Sequence, residues 1–157
     1  MKIAKSSRHA KLTGDFAEYL VLYWLSKYGF ESARVDHTGI DLIARNPRTK
    51  ELMGISVKAR SRTEGTEKSN VLIEVEKLRK AEGASRTLGC MPYLAIVIDG
   101  GNLIRVFILS FKVLYKLYPS SRKRNVGWNM TEKAVTRYYE HPDVKIFEFM
   151  ADTKRWW

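Results

Sequence analysis

Residues 39–62, GIDLIARNPRTKELMGISVKARSR, constrain the fold more than any other stretch. Two apolar runs flank a polar break at Asn46-Pro47, the pattern of two strands joined by a turn. A hairpin turning near residue 48 keeps the sum of paired positions constant, which sets Asp41 roughly opposite Ser56. Side chains alternate faces along a strand, so Asp41 shares a side with Ile43, and Ser56 shares one with Lys58. Asp41 then lies near Ser56 and diagonally near Lys58. Val57 and Ala59, on either side of the lysine, are core-type residues. A lysine in such a strand must emerge at its end or find an acidic partner.

The hairpin sits inside an alternation of helix and strand. From Asp15 to about Tyr28 the apolar residues Phe16, Ala17, Leu20, Val21, Trp24, Leu25 and Tyr28 recur at three- and four-residue spacing, which predicts an amphipathic helix stopped by Gly29. FESARV reads as a strand and DHTG as a turn before the hairpin. After a polar loop, SRTEGTEKSN, the stretch VLIEV suits a strand and VEKLRKAEGASRTLG a helix. PYLAIVID and NLIRVFIL are two apolar strands around Asp99-Gly100-Gly101. In the last third, SSRKRN reads as a basic loop, residues 131–140 as a helix and VKIFEF as a strand. One helix, three strands, one helix and two strands give an α/β fold, a mixed sheet with helices on its faces.

Charge narrows the choice of partner. Lys and Arg number 28 against 17 Asp and Glu, a formal charge of +11. Such an excess attracts polyanions, nucleic acid first among them, although an anionic membrane surface or an acidic partner would satisfy charge alone. Cys90 is the one cysteine, so neither a disulfide nor a cysteine zinc site is available; it reads as a small buried hydrophobe. The basic start MKIAKSSRHAK leads into no signal-peptide core, and FAEYLVLYWL is half a bilayer span and carries Glu18. A cytoplasmic location is expected.

Glu18 has two readings. Asp15 followed three residues later by Glu18 has the spacing of a capping box, with Glu18 reaching back to the helix start. Alternatively, Glu18 lies beside the packing face, bracketed by Val21, Leu22 and Leu25, and joins Asp41 and Lys58.

The string GDFAEYLVLYWLSKYGFESARV…GIDLIAR…GISVKAR, followed by CMPYLAIVI, resembles the core of the PD-(D/E)xK nuclease superfamily, and within it the archaeal Holliday junction resolvases. The resemblance covers roughly residues 12–110. It implies a restriction-endonuclease-like fold, a mixed central sheet flanked by helices, and Mg²⁺- or Mn²⁺-dependent hydrolysis of DNA phosphodiesters. It also implies Asp41 as the central metal ligand, Glu18 as the helical acid, the Val57 carbonyl as a further ligand and Lys58 as the lysine that orients or activates water. The chain departs from the pattern at Ser56, which stands where the family has Glu, Asp or sometimes Gln. Serine is a neutral and weaker ligand for a hard cation, so the site loses one negative charge. Glu51 stands roughly 16 Å away along the strand and does not replace it. Glu74 and Glu76 follow in the next segment, where solvent exposure is the usual fate of a glutamate. The site works with two carboxylates, or the acid has migrated, or catalysis is lost.

The remaining expectations concern the substrate. Arg34, Arg60 and Arg62 flank the site-bearing strands and suit phosphate contact, as do His37 and Thr38 in the turn before Asp41. SSRKRN adds nonspecific attraction. Trp156 and Trp157 suit packing against the sheet, with base stacking as the alternative. The chain is expected to form a single nuclease-like domain over residues 1–157: a basic arm to residue 12, a core over 13–110, and an extension over 111–157 packed on it. A homodimer matches the two-fold symmetry of duplexes and junctions. The alternative function is a nucleic-acid-binding module on the same fold, catalytically degenerate through Ser56.

Overall fold

The computed structural model describes residues 4–155, and Trp156 and Trp157 lie outside them. Helix α1 (His9–Lys27) leads into β1 (Glu31–His37), β2 (Ile40–Arg45) and β3 (Leu52–Ser61). Strand β4 (Val71–Ile73) and helix α2 (Val75–Thr87) carry the chain to β5 (Met91–Asp99) and β6 (Leu103–Ser110). Helix α3 (Phe111–Leu117), a 3₁₀ turn (Pro119–Arg122), β7 (Val126–Trp128), α4 (Glu132–Glu140) and β8 (Lys145–Met150) complete it. A six-stranded sheet runs β1-β2-β3-β5-β6-β8, and β4 pairs with β7 in a separate ribbon. Within the six-stranded sheet β3 and β5 run parallel, because β4 and α2 form the crossover between them; the other neighbours are antiparallel. The sheet is mixed, as the sequence predicts.

Each face of the sheet carries its own core. Ala17, Val21 and Leu25 of α1 pack on Leu42, Ala44, Ile55, Ala95 and Val97. On the other face Leu78, Ala81 and Ala84 of α2 join Ile96, Phe107, Leu109, Leu114, Trp128 and Tyr138. Trp128 stacks on Tyr138 with ring centroids 4.0 Å apart. Trp24 stacks on Phe147, which closes the first core at the β8 edge.

Three expectations are corrected. The helix begins at His9 rather than Asp15, so residues 9–12 are helical and not part of an arm. Nothing in Ala10-Lys11-Leu12 stops a helix, Thr13 Oγ1 donates to the His9 carbonyl, and Lys11 pairs with Asp15 one turn on. Asp15 is therefore interior, and the capping-box reading of Asp15 and Glu18 is excluded. The buried stripe of α1 is also narrower than the periodicity predicts, for Phe16 and Tyr28 are exposed. Finally, α3 and β7 are elements that the sequence pattern does not announce.

Gly39 ties the turn before β2 to α2. Its φ is +112°, and a Cβ there would come within 2.5 Å of the Lys80 carbonyl oxygen. Gly39→Ala is expected to cost roughly 2 kcal/mol or more, from strained backbone and a clash that only helix movement relieves. Denaturant melts compared with the wild type check it.

Candidate active site

The hairpin register fixes the centre of the site. Leu42 pairs with Ile55, Ile43 with Gly54, Ala44 with Met53 and Arg45 with Leu52, the constant sum the sequence predicts. Continued by one residue, this register sets Asp41 opposite Ser56. Here side chain replaces main chain: Asp41 Oδ2 accepts from the Val57 N–H at 2.6 Å. In a strand a residue's N–H and C=O point to the same side, so the Val57 carbonyl also faces the edge where the β2–β3 pairing has stopped, beyond Leu42 and Ile55. Gly54, Ser56 and Lys58 turn toward α2, whereas Ile55, Val57 and Ala59 turn toward α1.

Between this sheet end, the start of α1 and the start of α2 lies a cleft of about 450 Å³. Asp41, Ser56, Val57 and Lys58 line it, with Ala10 and Gly14 from α1 and Glu74, Lys77 and Lys80 from the α2 side. Arg60 lines it too, with Nη1 donating to the Ala59 carbonyl. Burial pushes the Asp41 carboxyl up, and the nearby charge of Glu18 adds to the rise; the Val57 N–H and Arg34 oppose it. Burial pushes Lys58 down, as does the charge of Arg60, while Glu74 counteracts. The Lys58 side chain is 17% exposed, and Nζ lies 3.3 Å from Glu74 Oε1. Both central groups thus hold charges that their surroundings disfavour, a common property of functional sites.

Glu18 stands apart from the cleft lining. Arg34 donates to Glu18 Oε2 through Nε at 2.9 Å and Nη2 at 2.6 Å. Its Nη1 donates to the Tyr19 hydroxyl, and the guanidinium lies 4.6 Å from the Tyr19 ring centroid. The helical acid is thereby held at a distance where it influences Asp41 only through its charge.

The other expected contact residues divide. His37 is exposed, with Nδ1 2.9 Å from the Thr38 carbonyl oxygen, and neither His37 nor Thr38 lines the cleft. Arg62 donates through Nη2 to the Ser69 and Asn70 carbonyls, tying down the loop before β4. Glu51 accepts from the Tyr93 hydroxyl at 2.6 Å. Glu76 pairs with Arg79 on an exposed helix face. Ala10, Gly14, Lys77 and Lys80 join the site without having been expected there; their signal would have been a helix starting at His9 and the helical phase of α2.

Among the described residues, no three Asp, Glu, His or Cys side chains gather closely enough to cage a metal. The cleft nevertheless suits a hard cation bound in the open manner of Mg²⁺, which takes one or two carboxylates and completes its shell with water and phosphate. Asp41 is a half-buried carboxyl whose second oxygen accepts no hydrogen bond among the described residues, and the Val57 carbonyl points to the same edge.

No protein-family model matches the sequence, and no curated protein matches it. Among solved structures, the chain is similar to a Holliday junction resolvase from the archaeal hyperthermophile Archaeoglobus fulgidus, at a TM-score of 0.53 and 18% identity. That match covers 76% of this chain and 91% of the resolvase. The fold is restriction-endonuclease-like. A bacterial homing endonuclease is also similar, at 15% identity and a TM-score of 0.47, over 78% of this chain and 80% of that one.

Proposed function

We propose that the chain is a Mg²⁺- or Mn²⁺-dependent DNA endonuclease, resolvase-like in kind, that hydrolyses phosphodiester bonds. The observation that carries this reading is the meeting of Asp41, the Val57 main chain and Lys58 on one cleft with a basic rim. Asp41, the Val57 carbonyl and Glu18 are the residues that would hold the cation. When bound, the cation polarises the scissile phosphate and lowers the pKa of an attacking water. Lys58, whose side chain is 17% exposed, stabilises negative charge developing on the phosphoryl oxygens. Glu18 takes part when Arg34 leaves it, and the freed guanidinium suits a phosphate.

DNA is the partner the charges favour. Arg60, Lys77 and Lys80 line the cleft and Arg62 holds its loop. Arg34, whose charge acts on Asp41, and the turn residues His37 and Thr38 are proposed as further phosphate contacts outside the cleft lining. The fold shared with the Archaeoglobus fulgidus resolvase supports the same substrate class. No helix among the described residues is long and apolar enough to cross a membrane. A cytoplasmic homodimer completes the proposal, and Leu12, Phe16, Tyr19 and Tyr23, exposed along one side of α1, support self-association. A catalytically degenerate DNA-binding module is the second reading, favoured by Ser56 and by the absence of a three-acid cluster among the described residues.

Incubating the purified protein with duplex, branched and single-stranded DNA, with and without Mg²⁺ or Mn²⁺, separates the two. Metal-dependent cleavage supports the first, and binding without cleavage supports the second. In either case log affinity falls linearly with log salt. Replacing Arg60, Lys77 and Lys80 by alanine is expected to flatten that slope by roughly 0.9 for every phosphate no longer neutralised. An affinity indifferent to salt would remove DNA as the partner.

A further inference from the structure

We propose that Glu74 is the acid of this site that position 56 does not supply. The inference rests on the endonuclease reading and names a residue which that reading leaves unassigned.

Glu74 occupies the junction of β4 and α2, as the residue before the first helical turn, yet its side chain makes no capping hydrogen bond. The N–H of Val75 is instead satisfied by Asn125 Oδ1 at 2.9 Å, from the loop before β7. Released from the helix end, the Glu74 carboxylate lines the cleft and reaches Lys58. Ser56 lies on the same face of β3, separated from Lys58 by roughly 7 Å along the strand. Glu74 thus restores, from a neighbouring element, the charge that serine takes away.

Its own surroundings keep Glu74 ionised. Lys77 and Lys58 hold its carboxyl below the usual glutamate range, and the positive end of α2 favours the same form. These ties are also loose. The contact to Lys58 is 3.3 Å and that to Lys77 is 3.1 Å, both longer than a strong charge-assisted bond of about 2.8 Å. The Lys77 side chain is 62% exposed, so that pair is weakened by solvent. A carboxylate held this way is free to turn toward a cation beside Asp41. Glu51 and Glu76 have no such freedom of approach, one being bonded to Tyr93 and the other lying on the outer face of α2.

Mn²⁺ binding by the full chain, measured by calorimetry without DNA, provides the test. Glu74→Gln is expected to weaken Mn²⁺ at least tenfold while the far-ultraviolet circular dichroism stays that of the folded wild type. Ser56→Glu in the Glu74→Gln background is expected to bring affinity back to within about threefold of wild type. A Glu74→Gln protein that binds Mn²⁺ within twofold of wild type, while Asp41→Ala does not, overturns the Glu74 assignment and leaves the endonuclease reading standing. A wild type that binds no Mn²⁺, or binds it equally well without Asp41, overturns the metal site itself and Glu74 with it.

Discussion

Asp41→Asn is expected to lower metal-dependent DNA cleavage by at least about 10³-fold while changing DNA affinity no more than threefold. Asparagine keeps an oxygen to accept from the Val57 N–H, so the end of the β2–β3 ladder survives. What disappears is the carboxylate charge proposed to hold the cation, at a residue that lines the cleft. The same variant is expected to be more stable than wild type at neutral pH. Burial raises the Asp41 carboxyl in the folded chain, so the native state binds that proton more tightly than the unfolded state does. Stability from this group is complete below the unfolded carboxyl pKa and is lost as pH rises through the higher folded one. Above that window wild type carries the cost of a desolvated charge, and the asparagine variant does not. Thermal melts across the acidic to neutral range should show the two proteins converging at low pH and separating near neutrality. Undiminished metal-dependent cleavage by a clean Asp41→Asn preparation would remove Asp41 from the site.

The sequence makes the centre of the site legible because strand alternation and hairpin register are local rules. The turn at Asn46-Pro47 sets Asp41 against Ser56, and the side-chain period of two sets Lys58 beside them. What the sequence conceals depends on contacts across long separations. Arg34 meets Glu18 only when β1 lies along α1, and Glu74 meets Lys58 only after the β3–α2 crossover folds back. Strand β7 is three residues long and gains its identity by pairing Trp128 with Val71. Helix α3 follows β6 without a break in hydrophobicity; its local marker is Ser110, whose hydroxyl accepts from the Val113 N–H. The start of α1 is hidden for the opposite reason, since Arg8 provides no side-chain cap to announce it.

Lys58→Met is expected to reduce cleavage by about 10²–10³-fold, with Mn²⁺ affinity preserved and DNA affinity little changed. Methionine fills the apolar stem of the lysine in the cleft wall and removes only the charge. Because burial and Arg60 push Lys58 down, the wild-type pH–rate profile should lose activity on its alkaline side before ordinary lysine titration is reached. Lys58→Arg should be slower but should lack that alkaline limb, since a guanidinium does not deprotonate there. Stability again moves the other way. The folded chain disfavours the lysine charge, so Lys58→Met should melt higher than wild type at neutral pH, and the difference should shrink as pH rises through the lysine range. Full activity in Lys58→Met would exclude the lysine from the reaction. A coincidence of diminished cleavage and increased stability at both Asp41 and Lys58 is what the proposed site requires: two half-buried charges, each held against its own solvation preference, which an incoming phosphate and cation would complete.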